Sequence, residues 1–185
     1  MENQYIFGYG SLVNRGTHEY ERAHRARLKG WRREWRHTSL RPAAYLTAVP
    51  DPEGEIDGLI LGVPHGEPEL ESREHAYARE DVSRAVVHEA RVPAHVHVYT
   101  IPEGRHGRPS EEHPILLSYI DVVVRGYLRE FGLPGVEHFF ATTAGWSAPV
   151  RNDRDAPVYS RHQRLSPEET SLVDDMLAEV GTRVI

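Results

Sequence analysis

The pattern of apolar and polar positions along the chain predicts a structure of mixed strands and helices. Apolar runs of strand length lie at residues 5–9, 31–38, 43–49, 57–63 and 94–101. These predicted strands outnumber the predicted helices, and no regular helical crossover separates one strand from the next. A doubly wound parallel sheet is therefore not expected.

Two helices are predicted in the body of the chain. The first covers residues 69 to about 83, and a long second helix runs from about residue 111 to residue 131. Ser110 is expected to cap the second helix, and Gly132 followed by Pro134 is expected to end it. The apolar face of this helix comprises Leu116, Ile120, Val123, Val124, Tyr127 and Phe131.

A third helix is predicted to begin at Pro167. Ser166 and Glu169 have the spacing of a capping box, and Pro167 occupies the first helical position. The buried stripe of this helix comprises Leu172, Val173, Met176, Leu177 and Val180.

The first apolar run leads directly into a glycine-rich loop, defined here as Phe7-Gly8-Tyr9-Gly10-Ser11-Leu12. Glycines permit positive φ and close backbone approach, and successive N–H groups around such a turn can form an anion-binding nest. A dinucleotide fingerprint and a nucleophile elbow both require glycine at position 13, where Val13 lies. Taken alone, the loop is also consistent with a purely structural junction.

Composition indicates an ordinary soluble globular protein. The 185 residues are 39% hydrophobic and 27% charged, and we expect them to form a single domain, residues 1–185. No apolar run approaches the roughly 20 residues that span a bilayer, and no signal peptide is visible. We therefore expect no membrane partner and a cytoplasmic location. The absence of cysteine excludes disulfides, a thiol nucleophile and thiolate metal sites.

The net charge of −6 conceals a basic segment at residues 15–41, with nine cations against three acids. Trp31 and Trp35 lie among these cations, and basic residues with interleaved aromatics are typical of nucleic-acid surfaces. The alternative is an edge element with solvated arginines and two core tryptophans. We favour the alternative and expect no nucleic-acid partner, because the rest of the chain carries about −12. A local positive field is suited to an anionic small substrate.

Two polar clusters are weak candidates for metal sites. His95 and His97 share one strand face, as in some zinc sites, but no third ligand follows at a suitable interval. Residues 152–155 lack the glycine and glutamate of a calcium loop, so they are predicted to form a polar turn. We expect no metal ion at either place.

The glycine-rich loop and the segment Leu70-Glu71-Ser72-Arg73-Glu74, in this order, resemble the γ-glutamyl cyclotransferase family and its ChaC-like branch most closely. Weaker similarities lie at residues 30–35, 58–63 and 132–134, and at Tyr119 with Gly126. The resemblance covers roughly residues 4–135. It implies an α+β fold, a small mixed β-barrel flanked by helices, with the substrate pocket at one end.

The resemblance also implies a reaction and a catalytic residue. In a γ-glutamyl amide, the free α-amino group can attack the γ-carbonyl of the same molecule, giving 5-oxoproline and a released amine. This chemistry requires no enzyme nucleophile, metal or cofactor, and one carboxylate can move both protons. The family motif places that carboxylate at Glu74, which we expect to be partly desolvated with a raised pKa. The alternative is a solvated glutamate paired with Arg73 or Arg79.

Substrate binding is expected from the backbone N–H groups of Gly8, Tyr9, Gly10, Ser11 and Leu12. Ser11 is expected to form hydrogen bonds rather than to act as a nucleophile. We expect Gly10 to have positive φ or to lie too close to the substrate for a Cβ atom.

The long helix contributes Tyr119, which occupies the position of the family's helix tyrosine. Its hydroxyl is expected to contact the substrate, and a core tyrosine is the alternative. The family tends to carry a Pro-Ser pair before this tyrosine, where the present chain has Ile115 and Leu116, with Ser118 nearby.

Two hypotheses for function remain open. The first is a cofactor-free γ-glutamyl cyclotransferase acting on a small γ-glutamyl molecule, with glutathione favoured. Its glycine carboxylate needs a cation at the pocket mouth, which residues 32–41 are placed to supply. The second is a non-catalytic relative that binds a γ-glutamyl or similar anionic metabolite. The leaving amine and the oligomeric state are left open by the sequence.

Overall fold

The computed structural model describes residues 3–89 and 95–185, and its central feature is a seven-stranded mixed sheet. The strands of this sheet are β1 (Asn3–Gly8), β2 (Arg22–Arg36), β3 (Tyr45–Pro64), β4 (Ala78–Asp81), β5 (Val86–His88), β6 (Val96–Thr100) and β8 (Thr143–Ala144). A separate parallel pair comprises β7 (Ile115–Leu116) and β9 (Val150–Arg151). The helices are α1 (Pro68–Arg73), α2 (Leu117–Ala141) and α3 (Pro167–Glu179).

The strand order is β4-β6-β1-β3-β2-β5, and β8 pairs with β2 off this path. β1 is antiparallel to β3 and parallel to β6, which makes the sheet mixed. The predicted α+β class is confirmed. The sheet is not closed into a barrel, because its path ends at β4 on one side and β5 on the other. The prediction of a small β-barrel is therefore wrong, because the strands form an open sheet.

A long hairpin of β2 and β3 forms the middle of the sheet. Its register extends from Arg22 opposite Gly62 to Arg36 opposite Tyr45, with a shift between Lys29 and Trp31. The predicted strands at 43–49 and 57–63 are two parts of β3, and the predicted strand at 31–38 corresponds to the end of β2. The polar residues between these runs are extended because each strand satisfies the backbone groups of the other.

α1 is much shorter than the predicted helix at 69–83, since it ends at Arg73. Residues 78–81 instead form β4, which pairs with β6 from Ala78 opposite Thr100 to Asp81 opposite His97. This ladder joins positions about twenty residues apart, so local patterning does not predict it. The predicted strand at 94–101 corresponds to β6, and its first residue, 94, lies outside the described residues.

α2 begins at Leu117 rather than near residue 111, and Ser110 does not cap it. Ser110 and His113 exchange backbone hydrogen bonds in a turn, and β7 then pairs with β9. Gly132 has a φ of 69° and interrupts the helix, as predicted, but a second helical part continues to Ala141. Pro134 lies in the first turn of that second part, where its missing N–H costs little.

The helices cover the sheet with the apolar faces that the sequence predicts. Of the six positions predicted for the apolar face, Leu116 lies in β7 and is buried, four on α2 are buried, and Phe131 is partly buried. The capping box of α3 is present, and Val173, Met176 and Leu177 of its stripe are buried. No helix in the described residues combines the length and apolarity needed to cross a bilayer.

Candidate active site

A cavity of about 150 Å³ lies where the end of β1, the end of α1 and the start of α2 meet. Its wall contains every residue that the sequence singled out as a site residue, from two motifs some sixty positions apart and from α2. These are Gly8, Tyr9, Gly10, Ser11, Leu12, Glu74 and Tyr119.

The glycine-rich loop connects β1 to a 3₁₀ turn at Ser11–Val13. Gly10 has a φ of −118°, so the expectation of positive φ is wrong. A Cβ atom on Gly10 would lie 2.8 Å from the hydroxyl oxygen of Tyr119. Glycine is required here because the Tyr119 side chain approaches the backbone closely, not because of backbone handedness.

The fully buried side chain of Arg33 contacts the backbone of the glycine-rich loop. The Nε atom of Arg33 donates to the Tyr9 carbonyl at 3.0 Å, and the Tyr127 hydroxyl lies 2.8 Å from the same oxygen. The Tyr9 hydroxyl donates to the Tyr99 carbonyl at 2.6 Å. These three contacts hold the loop backbone and the Tyr9 ring in one orientation.

Glu74 is the C-cap residue of α1, and its side chain is only 12% exposed. Burial raises the pKa of its carboxyl, while Arg73 and more distant cations oppose that rise. Arg73 Nε lies 3.7 Å from the carboxylate, whereas Arg79 donates to Gln4 instead. The partly desolvated carboxyl with a raised pKa agrees with the sequence expectation, and the solvated alternative does not fit this burial.

Tyr119 lies among aromatic rings at the base of the cavity. Its ring packs edge-on against Trp35, Tyr45 and Tyr159 at centroid distances of 4.9–5.9 Å. Burial raises the pKa of Tyr119 well above 10, so its hydroxyl is protonated at neutral pH and can donate.

Ser118 is bound by another segment and does not line the cavity. Its backbone N–H donates to Asp153 Oδ1 at 2.8 Å and its hydroxyl donates to Oδ2 at 2.6 Å. Asp153 belongs to the segment 152–155 that was predicted to be a polar turn, and its carboxylate also accepts from the Val158 N–H. The carboxylate therefore caps α2 from outside the helix.

Several residues at the cavity were missed by the sequence reasoning. Arg41 lies over the rings of Tyr45 and Tyr77, at 5.0 and 5.5 Å from their centroids, and donates to the Arg73 carbonyl. The position of Arg41 in the basic segment was the only available signal. Further lining residues that the sequence did not identify include Tyr45, Tyr77, Tyr99, Tyr159, Ser160 and Arg161.

The remaining cations of the basic segment are largely paired or buried. Arg15 and Arg25 contact Glu130, Arg27 contacts Glu55 and Asp57, and Arg32 and Arg36 contact Glu34. Trp35 is buried and Trp31 partly buried. Of the cations in residues 32–41, Arg41 is the one that lines the cavity.

The candidate metal residues lie away from this cavity. His95 Nδ1 is 3.7 Å from Asp81, and both side chains are largely exposed. In the two described stretches, 3–89 and 95–185, no three histidine, cysteine, aspartate or glutamate side chains are arranged to hold a metal ion.

The sequence and the fold both resemble known proteins. A family model described as ChaC-like protein matches residues 4–115. The structure is similar to that of uncharacterized protein loc79017 from Homo sapiens, with a TM-score of 0.58 and 16% identity over 94% of this chain and 99% of that chain. A structure described as gamma-glutamyl cyclotransferase has a TM-score of 0.55 and 17% identity, again over 94% and 99%.

A third similar structure, YkqA from Bacillus subtilis, has a TM-score of 0.57 and 19% identity over 78% of this chain and 57% of that chain. At these identities the likeness shows a common fold. No curated protein matches the sequence.

Proposed function

Because this chain belongs to the ChaC-like branch of the γ-glutamyl cyclotransferases, we propose that it cyclises a γ-glutamyl amide to 5-oxoproline with Glu74 as acid and base. The chain is an enzyme of the cyclotransferase type. The observation that carries the proposal is the position of the Glu74 carboxyl. This carboxyl is partly buried in the same cavity as the glycine-rich loop, and its ion-pair contact in the described residues, with Arg73 Nε, is 3.7 Å long.

The reaction forms one bond and breaks one bond in the same substrate. The α-amino nitrogen attacks the γ-carbonyl carbon and closes a five-membered ring, and the amide bond to the leaving nitrogen then breaks. The amine loses a proton and the leaving nitrogen gains one, so the products are 5-oxoproline and a neutral amine. A cavity that holds the folded rotamer supplies much of the rate enhancement.

Glu74 carries the proton between the two nitrogens. As a carboxylate it accepts the proton of the attacking amine, and as a carboxylic acid it returns a proton to the leaving nitrogen. Burial raises the pKa of Glu74 and thereby makes the carboxylate a stronger base. The cations around it oppose this rise, because they favour the ionised form of the carboxyl.

The glycine-rich loop binds the γ-glutamyl group, which all such substrates share. The N–H groups of residues 8–12 are the proposed donors to the α-carboxylate and to the oxyanion that develops on the γ-carbonyl. Ser11 and Tyr119 both line the cavity and are the proposed hydroxyl donors.

The leaving group is proposed to carry a carboxylate, as glutathione does. Arg41 and Arg161 line the cavity, and the guanidinium of Arg41 packs against the rings of Tyr45 and Tyr77. A planar guanidinium held in this way is suited to a carboxylate and unsuited to a cationic polyamine.

A coupled assay for 5-oxoproline tests the activity directly. The wild-type protein is incubated with glutathione and, separately, with γ-glutamyl-alanine. Formation of 5-oxoproline from either supports the enzyme, and failure with both would leave the non-catalytic binding relative in its place. Faster turnover of glutathione is expected, and a clear preference for the dipeptide would contradict the favoured substrate.

Arg41→Gln tests the leaving-group contact. The variant is expected to raise KM for glutathione about tenfold, since one charge-assisted contact is removed, and to change KM for γ-glutamyl-putrescine little. Arg105→Gln, in an exposed turn, is the matched control. Equal effects of Arg41→Gln on both substrates would contradict the assignment.

A further inference from the structure

Arg73 is an almost fully buried arginine that contacts several parts of the cavity at once. Its Nη2 atom donates to the Ser11 hydroxyl at 2.7 Å and to the Thr17 hydroxyl at 3.2 Å, and Nη1 donates to the Thr17 carbonyl at 3.2 Å. Its Nε atom lies 3.7 Å from Glu74 Oε1. The carbonyl of Arg73 accepts a hydrogen bond from Arg41.

This arrangement divides the guanidinium into two ends. The Nη end contacts neutral oxygens on the segment that follows β1, while the Nε end faces the one carboxylate near it in the described residues. A guanidinium has donors in a fixed fork, so the two ends hold their partners at a set separation. Lysine carries the same charge on a single nitrogen and lacks this fork.

The contact with Ser11 also determines what Ser11 can do. A hydroxyl has one hydrogen to donate and two acceptor positions. Arg73 occupies one acceptor position of Ser11, which leaves the hydroxyl hydrogen available to a molecule in the cavity. Arg73 thereby favours Ser11 as a donor.

Arg73 also contributes to the charge balance of the buried carboxyl. Burial raises the pKa of Glu74, and Arg73 is the foremost group that lowers it. The other basic side chains that act on the carboxyl are Arg41, Arg161 and His75. Neutral tyrosines face it from the surrounding elements, namely Tyr9, Tyr20, Tyr77 and Tyr99.

We propose that Arg73 is a positioning residue that couples the glycine-rich loop to Glu74. Its Nη end orients Ser11 as a hydrogen-bond donor, and its Nε end, 3.7 Å from Glu74 Oε1, holds the Glu74 carboxyl at the cavity wall. The proposal rests on the proposed function of Glu74, and it adds a residue that acts through the loop and the carboxyl without transferring a proton itself.

Titration of the free protein tests the coupling without any turnover. Glutamate carboxyls labelled with ¹³C are followed by NMR against pH in wild type, Arg73→Gln and Arg73→Lys, and the Glu74 signal is assigned from Glu74→Gln. The pKa of Glu74 is expected to rise in Arg73→Gln and to stay close to wild type in Arg73→Lys. If the pKa of Glu74 is unchanged in a folded Arg73→Gln protein, the proposed electrostatic effect of Arg73 on Glu74 is wrong.

Steady-state kinetics test the positioning of the loop. Arg73→Lys is expected to raise KM about tenfold, because two or three hydrogen bonds from a charged donor are lost, while the acid limb of the pH profile stays in place. Arg73→Gln is expected to raise KM similarly and also to shift the acid limb to higher pH. Arg79→Gln, at an exposed position on β4, is the control for both measurements.

Arg73→Gln and Arg73→Lys together test the positioning role of Arg73 even if one of them does not fold. If Arg73→Gln does not fold, Arg73→Lys still tests the positioning, because a wild-type KM in that variant would overturn it. A residue that only stabilised the fold would lower the melting temperature without moving the pKa of Glu74. If wild type forms no 5-oxoproline, the proposed function fails, whereas the NMR titration still decides the coupling between Arg73 and Glu74.

Discussion

At the scale of single residues, burial and charge act in opposite directions on Glu74. Desolvation disfavours the carboxylate, and Arg73, Arg41 and Arg161 favour it. The balance leaves the pKa above the ordinary glutamate value of 4.5. A raised pKa makes this carboxylate a stronger base than that of an exposed glutamate.

Glu74→Gln is expected to fold normally and to lose at least about two orders of magnitude in turnover, because an amide cannot carry the proton. Substrate binding is expected to remain, since the loop donors are intact. The rate of 5-oxoproline formation and the Kd from calorimetry are the measurements. Glu71→Gln, on the exposed side of α1, is the control. Turnover like that of wild type would rule Glu74 out as the acid and base.

The pH profile follows from the direction of the Glu74 pKa shift. Below its pKa the carboxyl is protonated and cannot accept a proton from the amine, so kcat/KM falls on the acid side. Because the pKa is raised, the inflection of this limb is expected above 4.5. The measurement is kcat/KM against pH in buffers of constant ionic strength. A profile that stays flat down to pH 4.5 would contradict this assignment.

Gly10→Val is expected to weaken both substrate binding and turnover. Its Cβ atom would lie 2.8 Å from the Tyr119 hydroxyl, so the tyrosine must move and the cavity narrows. The melting temperature is expected to fall only modestly, because the clash involves the end of one side chain. Gly107→Val is the control, since an added Cβ there meets no atom within 4 Å.

Ser11→Ala separates hydrogen bonding from nucleophilic catalysis. Loss of one hydroxyl is expected to cost about tenfold in kcat/KM, because the backbone N–H donors remain. Mass spectrometry of the wild type with substrate is the second measurement. An inactive variant, together with an acyl adduct on Ser11 in wild type, would replace direct cyclisation with a serine amidase mechanism.

At the scale of elements, α2 depends on residues outside itself for its first turn. Leu116 is its N-cap residue and offers no side-chain cap. Asp153, which follows β9, accepts hydrogen bonds from the Ser118 N–H, the Ser118 hydroxyl and the Val158 N–H. The start of α2, and with it Tyr119, is therefore held by a segment more than thirty residues later in the chain.

Asp153→Ala is expected to lower the free energy of unfolding by roughly 1–3 kcal/mol, because buried donors at the helix start lose their acceptor. Urea unfolding at pH 7 measures the change. Asp155→Ala removes an exposed carboxylate two residues later and is expected to have little effect. A change in Asp153→Ala within about 0.5 kcal/mol, the range of ordinary surface substitutions, would show that the cap is not needed.

At the scale of the whole molecule, Asp57 of β3 connects the sheet to α2. Its carboxylate lies 2.8 Å from Arg27 of β2 and 3.0 Å from His138 of α2. Its backbone carbonyl accepts from Arg33 and lies 2.7 Å from the Tyr127 hydroxyl, and both side chains also contact the glycine-rich loop. Burial alone would raise the pKa of Asp57, but His138 and Arg27 outweigh it and lower the pKa to about 2.

A lowered pKa in the folded state means that Asp57 stabilises the fold above its unfolded value of 3.8 and loses this contribution as pH falls through about 2. Asp57→Asn is therefore expected to cost roughly 2 kcal/mol at pH 7, from 1.36 kcal/mol per pKa unit. The difference from wild type is expected to shrink between pH 4 and pH 2. Denaturant unfolding across this range is the measurement, with Asp175→Asn on α3 as the control. A difference that does not depend on pH would contradict the linkage.

The features that depend on local spacing and backbone chemistry could be predicted from the amino-acid sequence. The capping box at Ser166, the interruption at Gly132 and the apolar face of α2 all follow from neighbours within one or two helical turns. The glycine-rich loop and Glu74 were identified from short motifs, and the structure places both at one cavity. The catalytic and binding roles of these residues stay predictions.

Features that depend on partners far away in the chain were visible only in the folded structure. β4 is a strand because β6 pairs with it, and the polar parts of the β2–β3 hairpin are extended because each strand supplies the other's hydrogen bonds. Arg41 and Arg73 meet at the cavity through contacts that no local pattern records. Gly10 is needed for space beside Tyr119 rather than for positive φ. Local spacing limits which side chains can be near one another, but long-range pairing and packing decide which of them meet.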